Sequence, residues 1–430
     1  MYLRYWKPMQ DMLGEKLTDF IRHFLMRSTT TQIKKGNDVY YTLKDNVSTE
    51  NVIDYLSDLL RFSSFYNKLI NPENEDNILI RKYLLRLNRI EVTTAYPLLL
   101  NFYEKYSNFE ITPENFVKIL QILENFLIRR FVCNIPTNQL NKIFPSIYPS
   151  LPSKYPDDLI TGLKAILQTK GYPKNEEFKM RLKDSKLYGG GDSIRKTKLI
   201  LESIEESYNH KEIISFDKVT IEHIMPQTLD EDWQKELGEK WQLIYEIYRH
   251  NIGNLTLTGY NSELSNYSFA KKRMEYLQSH LDMNKYFENV ESWNEKAIEK
   301  RAEDLSNIAV KIWTYFGSET NDNEQDIQGT TPRRLFVFMK WYEVSSWRDV
   351  LQKTLNTIID LEPEKFDILL EQFPSYIGKD KNKFRAVREL DNGVFIEMNV
   401  SAKQVQKLCY QAIETIDLTT DDWKVEIVSL

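Results

Sequence analysis

The sequence predicts a mostly α-helical protein with an inserted strand–strand–helix unit and a small C-terminal α+β domain. Three observations lead to this fold class. Apolar residues recur at helical spacing along most of residues 1–315, glycine is sparse at 14 residues, and strand-like segments alternate with helical ones in residues 333–430. A chain of 430 residues is also long enough for two or three domains, each with its own core.

Residues 1–180 are expected to form a helical scaffold. Near the start of the chain, apolar residues recur at helical spacing: Leu13, Leu17, Phe20, Ile21 and Phe24. A cap residue, Thr112, and a first-turn proline, Pro113, open a further helix. Four prolines in residues 144–158 predict an extended connection between helical units.

Residues 181–316 are expected to form a second domain, which begins near a glycine-rich turn. "YGGGDSIRK", residues 188–196, places three glycines and an Asp-Ser pair before a helical run, as in a flexible joint or a phosphate contact. The surrounding residues 178–198 are locally basic. They fit either a DNA-facing edge or an exposed pair of helices.

A polar stretch with few apolar residues, residues 317–332, is predicted to be a linker. Beyond it, residues 333–430 have β-α-β-β-α-β character. Asn392-Gly393 marks a hairpin, and Ser401 with Gln404 forms the pattern of a capping box before a helix.

Charge and composition exclude some classes of protein. The formal net charge of −6 argues against a general coating of a polyanion but leaves room for a local basic groove. Cys133 and Cys409 lack the spacing of a zinc site and are expected to be buried thiols of a reducing compartment. The sequence contains neither an apolar run of about 20 residues nor a signal peptide. We therefore expect a cytoplasmic protein without membrane partners.

Three short segments together predict a catalytic site. In "VTIEHIMPQTL", His223 stands near the end of a strand, and "NIGNLTLTGYN" places Asn254 at the start of a second strand and Asn261 just beyond its end. A neutral imidazole can accept a proton from an attacking water when another group fixes its orientation. A single strand histidine is more often a buried structural residue, but the order of these segments favours a catalytic one.

The same segments predict a metal ion and a phosphate contact. Mg²⁺ is commonly held by one or two protein oxygens and several waters, so Glu222 and Asn261 would suffice as ligands. Lys271 and Lys272, on the helix that follows, would bind a neighbouring phosphate. Because the two lysines are consecutive, only part of the run can face a groove, and a solvated face explains the rest.

The pattern "EHIMPQ…GNLTL…N" resembles the HNH, or His-Me finger, nuclease motif. More narrowly, three segments are similar to the nuclease part of GmrSD-like, modification-dependent type IV restriction proteins: "IEHIMPQTL", "HNIGNLTLTGYNSELSNYSFAKKRMEYLQS" and "SWNEKAIEKRAEDLSNIAVKIW". The upstream "YLRYWKPMQDML" and "LIRRFVCNIPTNQLNKIF" are similar to the helical middle of the fused forms. The resemblance covers most of residues 1–315.

The resemblance implies a role for each matching residue. It makes His223 the general base, Asn254 the residue that positions it, and Asn261 a ligand of Mg²⁺ or Mn²⁺. Glu222 occupies the Asp position of many HNH motifs and would ligate the metal directly or through water. Lys272 matches a recurrent lysine of the family.

The resemblance therefore predicts a metal-dependent HNH endonuclease that hydrolyses DNA phosphodiester bonds, within a modification-dependent restriction system of anti-phage defence. A ββα-metal (HNH) finger is expected at residues 215–285. The substrate would be modified or unmodified DNA, and RNA stays open because such a finger grips the backbone. The alternative from another class is a non-catalytic nucleic-acid-binding or assembly subunit.

Fused members of the family carry an N-terminal, ParB-like, nucleotide-dependent domain with an Asp-Gly-Gln-type motif, which this sequence lacks. The chain is therefore expected to begin inside the family architecture. Either a separate nucleotide-dependent subunit supplies the missing part, or the chain is a shortened form.

Other candidate polar residues receive structural predictions. His250, just before the second strand, is expected to be structural. Arg129 and Arg130 lie on an otherwise apolar helix, where internal ion pairs with a carboxylate are favoured over DNA contacts.

Overall fold

The computed structural model describes residues 1–28, 33, 37–91, 93–154, 158–208, 215–317, 330–338, 340–416, 418 and 422–428. Two compact units divide the chain. The first comprises Met1–Ala165 and Tyr172–Phe316, and the second comprises Ile166–Gly171 and Gly317–Leu430. The protein is mostly helical, with 65% helix and a few small antiparallel sheets. Most of the predicted linker, residues 318–329, lies outside the described residues.

Helices make up the chain before the first strand. Thr112 caps one of them by accepting a hydrogen bond from the backbone N–H of Asn115 at 3.2 Å, with Pro113 in the first turn, as predicted. The helices are α1 (Lys7–Leu13), α2 (Leu17–Met26), α3 (Asn37–Asn46), α4 (Val52–Ile70), α5 (Ile78–Ile90), α6 (Tyr96–Ser107), α7 (Pro113–Val132), α8 (Leu140–Lys154), α9 (Leu159–Gln168), α10 (Asn175–Asp184) and α11 (Gly191–Glu206).

The proline-rich stretch differs from its prediction. Helix α8 covers its first part, up to Lys154, where an extended connection was expected. Phe144, Ile147 and Leu151 recur at helical spacing and are all fully buried. Burial of this apolar face outweighs the hydrogen bonds that prolines remove from a helix.

A two-stranded antiparallel sheet forms the centre of the region that follows. Its strands are β1 (Thr220–His223) and β2 (Leu255–Thr258), with His223 opposite Leu255 and Glu222 opposite Thr256. The helices around this sheet are α12 (Glu231–Leu237), α13 (Trp241–Tyr248), α14 (Asn261–Leu264), α15 (Phe269–Tyr276), α16 (Asp282–Lys285) and α17 (Glu295–Ile312).

The second unit has α+β structure. Its elements are β3 (Thr331–Val337), β4 (Lys340–Glu343), α18 (Trp347–Leu361), α19 (Pro363–Gln372), β5 (Ile377–Gly378), β6 (Val387–Glu389), β7 (Phe395–Glu397), α20 (Ala402–Thr415) and β8 (Trp423–Val428). They form two three-stranded sheets, in the orders β4-β3-β8 and β5-β7-β6.

Two local predictions for the second unit are confirmed. The β6–β7 hairpin turns around Asn392-Gly393, where Gly393 has a φ of 78°, and Ser401 and Gln404 form the predicted capping box of α20. The second unit has more strands and helices than predicted. "LFVFMKW" divides between β3 and β4, and α19 is additional.

The structure also bears on the two cysteines and on membrane-spanning segments. Cys133 and Cys409 are buried free thiols, as predicted, and burial raises the pKa of each to about 12. Among the described residues, no helix combines the length and the apolar character that a bilayer-crossing segment requires.

Candidate active site

The chain on both sides of the sheet is held together by Asn254. Its Oδ1 accepts hydrogen bonds from the Met225 backbone N–H at 2.7 Å and the Trp293 Nε1–H at 3.0 Å. Its Nδ2 donates to the backbone oxygens of Met225 and Arg249 at 2.9 and 3.0 Å. All four hydrogen bonds of a neutral amide are thus used, and the side chain is fully buried. Asn254 therefore ties the main chain that follows β1 to the turn before β2.

Helix α17 packs closely on the turn that precedes β2. Arg301 donates from Nη1 to the backbone oxygens of Gly253 at 2.9 Å and Leu255 at 2.6 Å. A Cβ at Gly253 would lie 2.2 Å from the backbone oxygen of Ile298. The glycine of "GNLTL" is therefore required by this close approach, and it fixes the start of β2.

His223 lies in direct contact with a second imidazole. Its Nε2 is 3.1 Å from Nδ1 of His250, and Arg249 Nε donates to Nε2 of the same His250 ring at 2.9 Å. Because an arginine can only donate, neutral His250 carries its proton on Nδ1 and donates it to His223. Neutral His223 then holds its own proton on Nδ1. His250, for which the sequence predicts only a structural role, is thus the hydrogen-bonding partner of the candidate base.

An aromatic ring covers both imidazoles. The Tyr188 ring lies edge-on to His223, with centroids 4.6 Å apart, and is stacked on His250 at 5.6 Å. The backbone oxygen of His250 accepts a hydrogen bond from the Leu187 N–H at 2.9 Å. The basic segment before α11 therefore reaches the site, with Tyr188 half-buried and the three following glycines exposed.

The imidazoles lie in cationic surroundings. Burial, followed by the charges of His250, Lys272 and Arg249, lowers the pKa of His223 to about 3. Burial and the charges of Arg249 and Lys186 also lower the pKa of His250. Both rings are therefore neutral at pH 7, as a proton-accepting group must be. The positive surroundings favour an anionic substrate despite the negative net charge of the chain.

The opposite face of β1 is closed. Glu222 points away from His223, because successive side chains alternate across a strand, and its Oε1 lies 2.5 Å from the Lys272 ammonium. Tyr276 donates its hydroxyl to the same oxygen at 3.5 Å, and Lys272 also donates to the His223 backbone oxygen at 2.8 Å. All three side chains are buried. Burial raises the pKa of Glu222 and lowers that of Lys272, while their mutual attraction opposes both shifts.

The two candidate phosphate-binding lysines have different environments. The Lys272 ammonium is buried against Glu222, whereas exposed Lys271 holds its ammonium 3.2 Å from the centroid of the Tyr267 ring. The ammonium of Lys271 is therefore open to solvent, and that of Lys272 is not.

The candidate metal ligands are engaged with protein groups. Asn261 is half-buried and donates from Nδ2 to the Ile221 backbone oxygen at 2.7 Å and to Thr220 Oγ1 at 3.3 Å, which ties α14 to β1. The Glu222 carboxylate is already paired with the ammonium of Lys272. In the described part of the chain, His, Cys, Asp and Glu form no group of three or more that could hold a metal. This arrangement does not fit a divalent ion at Glu222, because the ion and Lys272 would compete for one buried carboxylate.

Comparison with known families finds one similarity in this region. Residues 172–308 match the model described as GmrSD restriction endonucleases, C-terminal domain. The matched segment contains β1, β2 and all the residues of the candidate site. This region of the chain is therefore similar to the C-terminal domain of restriction endonucleases of the GmrSD family. No curated protein matches the chain.

Three residues of this site were not predicted from the sequence to adjoin His223: Tyr188, Arg249 and His250. The signal for two of them was an arginine and a histidine directly before "NIGNLTL". Tyr188 belongs to the basic stretch and lies 35 residues before His223 in the sequence. Only the tertiary structure shows that the two rings are in contact.

Proposed function

We propose that this chain is an HNH endonuclease that hydrolyses DNA phosphodiester bonds, as the nuclease part of a modification-dependent restriction system in the cytoplasm. One observation carries the proposal. Within the residues that match the GmrSD family, His223 ends a strand as a neutral imidazole in cationic surroundings. A neutral base beside positive charge suits the attack of water on a phosphodiester.

In the proposed reaction His223 accepts a proton at Nε2 from the attacking water. The water oxygen forms a bond to phosphorus, the bond from phosphorus to the leaving oxygen breaks, and the leaving oxygen takes a proton from solvent. The negative charge of the bound phosphate raises the pKa of the buried imidazole toward neutrality, which makes it a better base in the complex. Asn254 keeps the backbone after His223 in place through its bonds to Met225.

Mg²⁺ or Mn²⁺ belongs to the proposal through the resemblance alone. A bound ion would stabilise charge on the phosphate and the leaving oxygen. Glu222 and Asn261 are its candidate ligands: Asn261 uses Nδ2 in its bonds to β1 and would bind through Oδ1, whereas the Glu222 carboxylate is already paired with Lys272. No step is therefore assigned to the ion here.

The function is tested by plasmid cleavage with His223→Ala. We expect the parent chain to nick or cut the plasmid and the variant to lose at least about 100-fold in rate, the usual contribution of a general base. Thermal unfolding and duplex binding should stay close to those of the parent, because His223 makes few bonds that hold the fold. Cleavage by the variant at the rate of the parent would contradict the assignment of the base.

A non-catalytic nucleic-acid-binding or assembly subunit is the second candidate. It is favoured by the Glu222–Lys272 pair, which occupies the carboxylate of the expected metal site. Cleavage by the purified chain in Mg²⁺, Mn²⁺ or EDTA separates the two functions. Activity that EDTA removes supports the metal-dependent nuclease, and binding without cleavage in every condition supports the second candidate.

The substrate and the partner complete the proposal. Modified and unmodified DNA should be compared, with single-stranded and duplex RNA beside them, because contacts to the backbone alone do not separate these polymers. A separate nucleotide-dependent subunit is the proposed protein partner. Cleavage that appears only when this subunit and a nucleotide are added would support it.

A further inference from the structure

Arg249 is a cation beside the candidate base that lacks an anionic partner among the described residues. Its Nε donates to the neutral His250 ring at 2.9 Å, and its Nη1 donates to the Tyr245 hydroxyl at 2.8 Å. The guanidinium also lies 4.7 Å from the centroid of the Tyr245 ring. It is half-buried, so it gives up part of its hydration without gaining a carboxylate.

Other arginines of the first unit are compensated differently. Arg86 is held by the Glu124 carboxylate at 2.7 Å, and Arg61 is held by Glu104 at the same distance. Arg249 uses two of its five N–H donors in the two bonds described. The planar fork of a guanidinium matches the oxygens of a phosphate, and a charged acceptor binds it more strongly than a neutral imidazole does.

A second exposed cation stands at the same place. Lys186 is close enough to His250 to lower its pKa, and it forms no ion pair in the described part of the chain. The adjacent Leu187 N–H is bonded to the His250 backbone oxygen, which fixes this segment against the end of α13. Arg249 and Lys186 thus give the imidazole pair a positive border, and no carboxylate of the described residues pairs with either of them.

We propose that Arg249 binds a backbone phosphate of the nucleic-acid substrate beside His223, and that it gives up its hydrogen bond to His250 in doing so. The inference rests on the proposed function and names the group that binds its substrate. Lys272, the lysine expected for this task, is buried against Glu222 and is not available for it.

Loss of the hydrogen bond from Arg249 to His250 changes which nitrogen of His250 can carry the proton, and so affects the candidate base His223. While Arg249 donates to Nε2 of His250, the His250 proton stays on Nδ1 and occupies the Nε2 lone pair of His223. Once Arg249 has moved to the phosphate, the His250 proton can pass from Nδ1 to Nε2 through solvent, with no net gain or loss. The His223 lone pair is then free to accept a hydrogen bond from water. Substrate binding and exposure of the base are thereby coupled.

The binding step is tested with Arg249→Gln in the full chain that also carries His223→Ala, so that cleavage does not interfere. Fluorescence anisotropy with a labelled duplex should show weaker binding and a slope of log K against log salt that is smaller by about 1, as for the loss of one phosphate contact. Arg4→Gln is the matched control, since Arg4 is an exposed arginine of the same unit over a tyrosine ring at 5.2 Å. Arg249→Lys should retain part of the slope, and a melting curve verifies that each variant is folded.

The coupling is tested by cleavage in two backgrounds. With His250 present, the neutral Gln amide can still donate to Nε2 of His250 but has no charge that draws it to the phosphate, so Arg249→Gln should lower kcat and raise KM. With His250→Ala, which removes the donor to His223, Arg249→Gln should raise KM and leave kcat within about twofold. An equal loss of kcat in both backgrounds overturns the coupling.

Binding and cleavage separate the possible failures. A salt slope for Arg249→Gln equal to that of Arg4→Gln overturns the phosphate contact, whether or not the chain cuts DNA. A chain that binds DNA with the predicted slope and never cuts it contradicts the proposed function while supporting the role of Arg249 in binding.

Discussion

The two faces of the β1–β2 sheet carry neighbouring residues with opposite environments. On one face His223 meets His250 and the half-buried ring of Tyr188, and Arg249 donates to His250. On the other face Glu222 meets Lys272 in a buried ion pair. On the first face the positive charge of Arg249 has no carboxylate partner among the described residues. On the second face the charges of Glu222 and Lys272 neutralise each other.

This difference separates binding from stability. A charge that has no internal partner is available to a ligand, whereas a buried pair is already satisfied and is costly to break. The residues that match the HNH pattern therefore divide between the two faces. His223 lies on the first face, while Glu222 and Lys272 on the second hold α15 against β1.

The strongest test of the closed face is Lys272→Met. Removal of the ammonium leaves Glu222 as an unpaired buried charge, so the free energy of unfolding of the first unit should fall by about 3–5 kcal/mol. Denaturant titration followed by fluorescence of the buried Trp233 and Trp293 measures it. Lys271→Met, an exposed neighbour, should stay within about 0.5 kcal/mol of the parent. Similar losses for the two variants would show that the buried pair does not stabilise the unit.

A smaller effect is expected for Glu222→Gln. The amide oxygen still accepts a hydrogen bond from Lys272 but loses the charge, so unfolding should become easier by about 1–3 kcal/mol. If Glu222 only holds α15, the cleavage rate for each folded molecule should equal that of the parent below the unfolding temperature. A rate that falls 100-fold in a folded variant, and that more Mn²⁺ restores, would instead make Glu222 a metal ligand.

The smallest expected effect concerns pH and the open face. The folded pKa of His223, about 3, lies below its ordinary value of 6.5, so the unfolded state binds more protons between these values. The stability contributed by neutral His223 is complete above pH 6.5 and is lost as pH falls toward 3. Between pH 7 and pH 5 the parent should lose about 1–2 kcal/mol more than His223→Gln. Equal losses in the two proteins, measured by denaturant titration, would contradict the shifted pKa.

Part of the fold could be predicted from local sequence. The Thr112 cap, the Asn392-Gly393 hairpin and the Ser401 capping box depend on residues within four positions of each other, and all three are confirmed. Phe144, Ile147 and Leu151 show the limit of that reasoning, because their burial keeps a proline-rich stretch helical.

The candidate site divides in the same way. The three segments around His223, Asn254 and Asn261 could be recognised from the residues within each segment and from the order of the segments along the chain. The roles of the neighbours were not visible. Whether a carboxylate meets a metal, water or a lysine depends on the helix that packs over it, and that helix begins 47 residues after Glu222.

The sequence by itself determined the mostly helical class, the resemblance to GmrSD-like nucleases and the identity of the candidate base. Helical periodicity and motif order are local properties, and side-chain chemistry is carried by the residue itself. Only the tertiary structure decided that Lys272 neutralises Glu222 and that Arg249 and His250 adjoin His223. Charges act through space over a few ångströms, so partners depend on packing between elements and not on order along the chain.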